Sequence, residues 1–314
     1  MKYSFILPVY NEAASLPYLY LRLMKIIDKL KTDYELIFIN DGSIDASFFI
    51  LKKLRQKNKS VKIISFSRNF GHQTAVTAGL QHATGDYIFI LDADLQDPPE
   101  LIPKFIGKLK LGYDTVYAVR TKRKEFVLKK IAYSLFYRLL NLISSIDIPL
   151  DSGDFCAMNK NVLEAINSLP ERNRFIRGIR SWVGFKSIGI EYERQGRSHG
   201  KSKYTVSKLI KLAFDGIFSF SYIPLQLMFL FGLLALILSF IGIVIALYMK
   251  FFTTNYNRVP GFATTVILVL FTSGLQLFSI GILGEYLRRV YDETKRRPPY
   301  IISSVIGFSE KGKK

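Results

Sequence analysis

The sequence predicts a doubly wound, mostly parallel α/β sheet followed by two membrane-spanning helices. Three observations predict this fold class. Short β-rich runs alternate with helical stretches over roughly the first 120 residues. Those runs are apolar almost throughout, as in strands that are buried on both faces of a parallel sheet. Two later segments contain no charged residue and are long enough to cross a bilayer.

The predicted elements of the soluble part follow one another in regular order. Five strands are expected at Tyr3–Val9, Glu35–Asn40, Val61–Ser67, Tyr87–Leu91 and Thr115–Val119. Helical spacing of apolar residues predicts helices between them at Leu16–Leu30, Ala46–Asn58, Gln73–Ala83 and Glu100–Leu111. In an open sheet of this type, ligands bind at the carboxyl ends of the strands.

A less regular stretch runs from Phe126 to about Arg194. We expect an amphipathic helix with a basic face at Phe126–Ser145 and a loop leading into a short strand at Asp151–Asn159. Lys186–Tyr192 is expected to add one more strand.

The two uncharged segments, Leu227–Met249 and Val259–Gly284, are predicted to span a membrane. Buried core helices are the alternative, but uncharged runs of this length favour a span. The segments that flank the pair are much more basic than the loop Lys250–Arg258, which holds two basic residues. The positive-inside rule therefore places both flanks in the cytoplasm. The amphipathic stretch before the spans predicts one or two helices in the membrane interface.

The charge of the chain points to an anionic partner. Lysines and arginines exceed acidic residues by 19, which favours nucleic acid, acidic lipid or a phosphorylated substrate. The single cysteine, Cys156, excludes an internal disulfide and fits a reducing compartment. The N-terminal residues do not form a signal peptide, because Pro8 and Asn11 interrupt a short apolar run.

An acidic cluster follows the fourth predicted strand. Asp92 and Asp94 are two residues apart, so at a strand end both carboxylates are expected on one side, near one hard cation. Carboxylate oxygens suit Mg²⁺ or Mn²⁺, and such ions commonly bridge to substrate phosphates. A solvated acidic turn before the helix near Pro99 would explain the same pair.

Two other strand ends carry polar residues at the same predicted edge. The first strand ends in Pro8-Val9-Tyr10-Asn11-Glu12, and the second in Asn40-Asp41-Gly42-Ser43. Tyr10 is suited to stack on a base, and Glu12 or Asp41 to accept hydrogen bonds from a base or ribose. Each motif alone also fits an ordinary turn, but the coincidence of three favours a ligand site.

These motifs resemble the family 2 glycosyltransferases with the GT-A fold. Asp92-x-Asp94-x-Gln96-x-Pro98-Pro99 is similar to the polyprenyl-phosphate subgroup, which contains dolichol-phosphate mannose synthases and bacterial undecaprenyl-phosphate (bactoprenol) glucosyltransferases. Ser152-Gly153-Asp154-Phe155 and Arg197-x-x-Gly200-x-Ser202-Lys203-Tyr204 also resemble that subgroup. The two spans match the bacterial branch that is associated with O-antigen modification.

The resemblance implies a role for each matching position. The nucleotide-sugar site is expected to comprise Pro8, Tyr10, Glu12, Asp41 and Asp92. The metal, Mg²⁺ or Mn²⁺, is expected on Asp92, Asp94 and Gln96. Asp154 matches the position usually offered as the catalytic base, and Asp94 is assigned a catalytic role with it. Arg197 and Lys203 are expected to bind the lipid phosphate, although a general polybasic attraction to anionic lipid would explain them too.

The chain departs from the family pattern at two positions. Asn40 stands where many members have an aspartate, and Cys156 stands where an arginine is common. The second change removes a possible phosphate ligand. Because a phosphate monoester has a second pKa near 6, the acceptor is already ionised at neutral pH. We therefore expect Asp154 mainly to orient the acceptor, the sugar or a basic partner.

The predicted domains are a cytoplasmic catalytic domain at 1–200, interfacial amphipathic helices at 201–223, two transmembrane helices within 224–286 (about 225–249 and 260–285), and a basic cytoplasmic tail at 287–314. The predicted protein is an integral inner-membrane enzyme with both termini in the cytoplasm. It is expected to transfer a hexose, as glucose from UDP-glucose, to a polyprenyl phosphate with inversion, for lipopolysaccharide or other envelope glycosylation.

Three alternatives remain open on sequence alone. In the first, the same reaction uses another donor: GDP-mannose, a UDP-N-acetylhexosamine or a UDP-aminoarabinose derivative. A processive polysaccharide synthase is disfavoured, because Trp182 follows Ser181 and no Gln-x-x-Arg-Trp motif is present. A non-enzymatic basic membrane adaptor or nucleic-acid-binding protein would not explain three polar strand ends, and no nucleic-acid partner is expected.

Some residues receive no chemical role. His72, His82 and His199 show no zinc-site spacing. Glycines in the second span, Gly274, Gly281 and Gly284, permit close helix contact. A homo-oligomer is therefore expected, with a tetramer as the working guess.

Overall fold

The computed structural model describes residues 1–121, 152–172, 174–193, 222–252 and 261–308. The chain divides into two compact units, one formed by residues 1–212 with 297–314 and the other by residues 213–296. The predicted helix at Phe126–Ser145, nearly all of the interfacial segment 201–223, and both Arg197 and Lys203 lie outside the described residues.

The first unit alternates strands and helices as predicted. Its described strands are β1 (Lys2–Val9), β2 (Asp33–Asn40), β3 (Val61–Phe66), β4 (Tyr87–Ile90), β5 (Thr115–Thr121), β6 (Ser152–Asn159), β7 (Ser187–Glu193) and β8 (Ile302–Ile306). Its described helices are α1 (Leu16–Leu30), α2 (Ser47–Lys57), α3 (His72–His82), α4 (Ile102–Lys110), α5 (Lys160–Ser168) and α6 (Ile176–Trp182).

The described strands form one mixed sheet in the order β7-β5-β6-β4-β1-β2-β3-β8. Pairing is parallel for β1 with β2 and β4, for β2 with β3, and for β5 with β7. Strand β6 runs antiparallel between β4 and β5, and β8 runs antiparallel to β3. The predicted doubly wound, mostly parallel sheet is therefore confirmed.

Helices cover the sheet closely. Apolar side chains of α1 and α4 join those of the central strands in one core. On α3, a Cβ atom added at Gly79 would lie 2.3 Å from the Ile6 Cγ2 atom. Only glycine lets this helix approach the sheet at that distance. The approach places the N-terminus of α3 beside the carboxyl ends of β1 and β4.

Two segments differ from the prediction. Asp151–Asn159 was expected to be a loop and a short strand, but residues 152–159 form the eight-residue strand β6, which both neighbouring strands stabilise. Ile302–Ile306 lies within the predicted basic tail 287–314, yet it forms edge strand β8. Its five residues alternate between half-buried and exposed, and one half-buried face suffices for an edge strand that is paired with β3.

The second unit contains the two apolar helices that were predicted. Helix α7 comprises Ile223–Phe252 and α8 comprises Gly261–Thr294, so α8 continues well past the predicted end near residue 285. Within them, Ile223–Ile245 and Ile267–Thr294 are long and apolar enough to cross a membrane. Their large apolar side chains are mostly exposed within the chain, which is consistent with association with a membrane.

Candidate active site

The loop that follows β4 presents its polar residues on one side. Buried and partly exposed residues alternate along it: Ala93, Leu95 and Asp97 are buried, and Asp92, Asp94 and Gln96 are partly exposed. Leu95 has a φ of 61°, in the left-handed region that side chains seldom adopt. A hydrogen bond from the Gln96 N–H to Asp94 Oδ1 (3.1 Å) tightens the turn. The alternation presents two carboxylates and one amide away from the core.

His72, for which the sequence predicts no chemical role, lies between the two predicted catalytic regions. Its Nε2 is 2.8 Å from Asp92 Oδ1, and its Nδ1 is 3.8 Å from Asp154 Oδ2. It is the first residue of α3, so the close approach of this helix to the sheet at Gly79 also positions the His72 ring beside the loop after β4. The contact joins the loop after β4 to the start of β6.

Arg177 forms a bidentate ion pair with Asp154. Arg177 Nε lies 2.7 Å from Asp154 Oδ1, and Arg177 Nη2 lies 2.8 Å from Asp154 Oδ2. This bidentate geometry is the strongest form of arginine–carboxylate pairing. Arg177 comes from α6, and sequence analysis did not identify it, because only the fold brings α6 to the edge where β6 begins.

The charges of this cluster stabilise one another. Burial opposes ionisation of Asp154, but Arg177 and then His72 outweigh it and hold the pKa of this carboxyl well below its usual range. Burial likewise opposes charge on His72, yet Asp92 and Asp154 raise its pKa to about 9. His72 in turn lowers the pKa of Asp92. Two carboxylates and two cations therefore face each other at neutral pH.

This arrangement makes Asp154 a poor proton acceptor. A carboxylate whose pKa is held this low has little basicity, and both of its oxygens already accept from Arg177. Arg177 is a basic partner that Asp154 holds through both oxygens, and the orienting role of Asp154 stays a prediction.

Asp41, a predicted nucleotide contact, holds the loop before α3. Its side chain is buried and accepts hydrogen bonds from the Phe70 N–H (2.7 Å), the Gly71 N–H (3.0 Å) and Asn69 Nδ2 (3.0 Å). Burial raises the pKa of Asp41 despite these bonds. Because Gly71 immediately precedes His72, Asp41 fixes the position from which the histidine ring reaches Asp92. This second function was not apparent from the sequence.

The neighbouring glycine explains the close contact of the two loops. A Cβ atom at Gly42 would lie 2.3 Å from the Arg68 carbonyl carbon, and Gly42 has a φ of 64°. Both the space and the backbone conformation therefore require glycine here. The Asn-Asp-Gly-Ser turn thus brings the ends of β2 and β3 together.

The other predicted nucleotide contacts lie at the end of β1. Tyr10 is 37% exposed, directly beyond the strand. Glu12 is half-buried, and its Oε2 accepts from Ser15 Oγ at 3.0 Å. Pro8 is buried within β1 opposite Ile39, so it shapes the strand end rather than offering an exposed surface. The structure thus brings the ends of β1, β2 and β4 to one edge, as predicted.

Asp97 anchors the acidic loop from beneath. It is fully buried; the Tyr192 hydroxyl donates to its Oδ1, and Arg120 Nη2 lies 4.0 Å from its Oδ2. Arg120 Nε also donates to the Tyr192 oxygen at 3.3 Å. Burial and the Asp97 charge raise the pKa of Tyr192, so its proton stays in place. This cluster of Asp97, Arg120 and Tyr192, here called the clamp, connects the loop after β4 to β5 and β7.

Cys156 has a basic neighbour despite lacking the family's common arginine. Its thiol is buried, which raises its pKa, and the positive charge of the nearby Arg180 guanidinium opposes that rise. Arg180 is 5% exposed and lies over the Tyr117 ring at 5.1 Å. A cation from α6 therefore occupies the neighbourhood in which the sequence comparison had suggested that one was lost.

The oxygen donors of the β4 loop fit a hard divalent cation. Asp92, Asp94 and Gln96 provide carboxylate and amide oxygens on one partly exposed side. Among the residues that the structure describes, no group of three or more His, Cys, Asp and Glu side chains is arranged to hold an ion. An ion at this loop would therefore draw further ligands from Gln96 and from bound substrate.

The other two histidines give no sign of a chemical role in the described part of the chain. His82 Nδ1 is 2.8 Å from the Ala78 carbonyl oxygen, and its ring packs edge-on against Phe308. His199 is outside the described residues.

Comparisons with known proteins give a consistent family assignment. The model of the family described as "Glycosyl transferase family 2" matches residues 4–166. The uncharacterized glycosyltransferase YkcC of Bacillus subtilis (strain 168) is 46% identical over 312 residues, which cover 99% of this chain and 96% of that protein. The bactoprenol glucosyl transferase of Shigella phage SfX is 42% identical over 306 residues, which cover 97% and 99%.

Solved structures also include similar chains. Glucosyl-3-phosphoglycerate synthase from Mycobacterium tuberculosis, in complex with Mn²⁺, UDP and glucosyl-3-phosphoglycerate, is 20% identical with a TM-score of 0.46. The similarity covers 69% of this chain and 77% of that one.

Proposed function

This chain belongs to glycosyltransferase family 2, and we propose that it transfers glucose from UDP-glucose to a polyprenyl phosphate such as undecaprenyl phosphate. One observation carries the proposal. Relatives named bactoprenol glucosyl transferase match almost the full length of this chain at 42% identity, through both the catalytic unit and the apolar helices.

The bond changes of the proposed reaction are simple. An oxygen of the lipid phosphate attacks the anomeric carbon of glucose, and the bond from that carbon to the UDP oxygen breaks. The electron pair leaves with the β-phosphate of UDP, and the anomeric configuration inverts. Because the acceptor phosphate is already ionised at neutral pH, no protein base is required for the attack.

The cluster at the sheet edge supports this mechanism. Asp154 is held by Arg177 and flanked by His72, so we assign it a positioning role and not that of a base. Tyr10, Glu12 and Asp41 lie at the edge where the nucleotide would bind. Arg197 and Lys203, which lie outside the described residues, remain the proposed ligands of the lipid phosphate.

A divalent cation fits the proposed donor site. Asp92, Asp94 and Gln96 would hold Mg²⁺ or Mn²⁺, which would neutralise the charge of the departing diphosphate. The partly exposed oxygens of the β4 loop support this assignment.

The strand pairing supports the proposed membrane topology. Strands β3 and β8 hydrogen-bond to each other, although α7 and α8 lie between them in the chain. The segments before α7 and after α8 must therefore share one side of any membrane, which two crossings satisfy. The basic flanks favour the cytoplasm for that side.

The test uses the full-length protein in detergent or lipid nanodiscs. Release of UDP from UDP-glucose is measured with and without undecaprenyl phosphate, and the lipid product is identified by mass spectrometry. We expect UDP release that depends on the lipid phosphate. Transfer from GDP-mannose, UDP-N-acetylglucosamine or a UDP-aminoarabinose derivative instead would replace the donor assignment. Absence of any stimulation by the lipid phosphate would overturn the acceptor assignment.

A further inference from the structure

The segment that follows α8 in the chain packs against β3 and α3 of the first unit. Tyr300, which lies between α8 and β8, is half-buried. Its ring stacks on that of Phe66, the last residue of β3, with ring centroids 4.8 Å apart and an interplanar angle of 20°. Its hydroxyl donates to Gln81 Oε1 on α3 at 2.5 Å, and the adjacent Ile301 carbonyl oxygen accepts from the Ser67 N–H at 2.9 Å. Tyr300 therefore contacts both elements that flank the connection between β3 and α3.

That connection, residues 67–71, is here called the β3 loop. Its first three residues are exposed and its last two are half-buried, so the loop buries little of its own surface. The N–H groups of Phe70 and Gly71 donate to Asp41, which is one source of its stability. Because the loop ends directly before His72, a shift of the loop would move that ring as well as the Asp41 contacts.

Aromatic contacts stabilise the β3 loop in a second way. Phe70 packs edge-on against Phe66, with ring centroids 5.7 Å apart, and the Arg68 guanidinium lies 4.1 Å from the Phe70 ring centroid. Phe66 is 3% exposed, and Tyr300 stacks on it. Stacked and edge-on arrangements are both favourable for aromatic pairs. The rings of Tyr300, Phe66 and Phe70 thus form a row, here called the aromatic row, that leads from the segment after α8 into the loop.

We propose that Tyr300 is a positioning residue for the proposed donor site. Its ring holds Phe66 and, through it, Phe70, so the β3 loop keeps the conformation that places Asp41 and His72. A preorganised loop loses less conformational entropy when a ligand binds, so loss of the ring should weaken nucleotide binding. The site would thus depend on a segment that the chain supplies only after both apolar helices. Only the identity of the nucleotide rests on the proposed function, because the aromatic row involves no substrate.

Hydrogen exchange of the full-length protein in lipid nanodiscs, without ligand, tests the effect on the loop. In Tyr300→Ala, the Phe70 and Gly71 amides should exchange about ten-fold faster than in wild type, because the loop opens more often. The amides of β1 should keep their wild-type rates. Unchanged exchange in the loop would overturn the proposal. So would an equal increase in β1, which would indicate a general loss of stability.

Two further variants separate the ring of Tyr300 from its surroundings. Tyr300→Phe keeps the aromatic row and loses only the hydrogen bond to Gln81, so the β3 loop should exchange as in wild type. Ile301→Ala removes the neighbouring apolar side chain, which is 56% exposed, and keeps the main-chain bond to Ser67. It should also behave as wild type. Faster loop exchange in Ile301→Ala, as large as in Tyr300→Ala, would contradict a specific function of the ring.

Calorimetric titration with UDP in the presence of Mn²⁺ tests the consequence for the site. Tyr300→Ala should bind UDP about five-fold or more weakly than wild type, and Tyr300→Phe should bind it equally well. In the transfer assay, the KM for UDP-glucose should rise while kcat changes little, whereas partial unfolding would lower kcat and leave KM unchanged. Wild-type UDP affinity in Tyr300→Ala would overturn the link to the donor site. If wild type binds no UDP, the proposed donor is wrong, and the exchange rates still decide whether Tyr300 holds the loop.

Discussion

Arg177 binds both carboxylate oxygens of Asp154, at 2.7 and 2.8 Å, at the point where β6 begins. His72 approaches the same carboxylate from α3 and contacts Asp92 with its other ring nitrogen. The pair therefore belongs to a neutralised cluster that links four element ends: those of β4, α3, β6 and α6. This relationship changes the chemistry that Asp154 can perform.

The Asp154→Asn variant should lose activity, but its pH–rate profile should not lose an ionisation. We expect kcat to fall by about 100-fold or more, because the amide can no longer accept both Arg177 bonds. The pH profile of the remaining activity should keep the ionisation of the acceptor phosphate near pH 6, and the pKa of His72 should fall below about 9 because Asp154 no longer raises it. Initial rates between pH 5 and 9, at saturating substrates, would measure this.

Arg177→Lys is the matched variant, since it keeps the charge but loses the planar fork. Its activity should fall between those of wild type and Asp154→Asn, with the ionisation of the acceptor phosphate again near pH 6. A wild-type ionisation near neutral pH that is distinct from that of the acceptor, and that disappears in Asp154→Asn, would instead identify Asp154 as a base.

Removal of divalent cations should abolish transfer. Treatment with EDTA is expected to stop UDP release, and added Mg²⁺ or Mn²⁺ should restore it. In Asp94→Asn, the cation concentration for half-maximal activity should rise by about ten-fold or more, because one charged oxygen ligand is lost. Glu164→Gln, an exposed acidic residue of α5, should show the wild-type cation dependence. Full activity in EDTA would contradict the proposed metal site.

Tyr192→Phe should destabilise the loop that carries the acidic motif. The change removes the hydroxyl that donates to fully buried Asp97 and leaves that carboxylate less satisfied. Loss of one partner of a buried charged group costs about 1–3 kcal/mol. We expect a lower melting temperature together with a weaker apparent affinity for UDP-glucose. Tyr222→Phe, at a 61% exposed position, is the control. An unchanged melting temperature in Tyr192→Phe would show that the clamp contributes nothing.

Glu35 should make the stability of the protein depend on pH in the acid range. It is buried and accepts from Lys2 (3.0 Å), Lys62 (2.6 Å) and Ser4 (2.5 Å). Burial opposes its charge, but these donors lower its pKa from 4.5 to about 2. Because the folded pKa is lowered, the stabilisation is complete above pH 4.5 and is lost as the pH falls toward 2. That shift corresponds to about 3 kcal/mol.

Thermal unfolding of Glu35→Gln tests this linkage. The variant should melt below wild type at pH 7, and the difference should narrow between pH 4.5 and 3. Glu164→Gln makes the same chemical change at an exposed position and should shift stability by less than about 0.5 kcal/mol. A difference between Glu35→Gln and wild type that stays constant down to pH 3 would contradict the lowered pKa.

Local patterns in the sequence determined much of this protein. Continuous apolar runs predicted the strands β1 to β4, and helical spacing predicted the helices between them, because such patterns depend on near neighbours alone. The two uncharged segments predicted α7 and α8 in the same way. The polar strand ends were expected at one edge because the carboxyl ends of parallel strands share it.

Only the tertiary structure decided which residues meet across the site. His72 lies 20 residues from Asp92, Arg177 lies 23 residues from Asp154, and Tyr192 lies 95 residues from Asp97. No local period encodes such pairs, since the first two depend on how α3 and α6 pack on the sheet and the third on the position of β7 within it. Strand β8 escaped prediction for the same reason: five residues in a basic segment become a strand only when β3 offers its hydrogen-bonding edge.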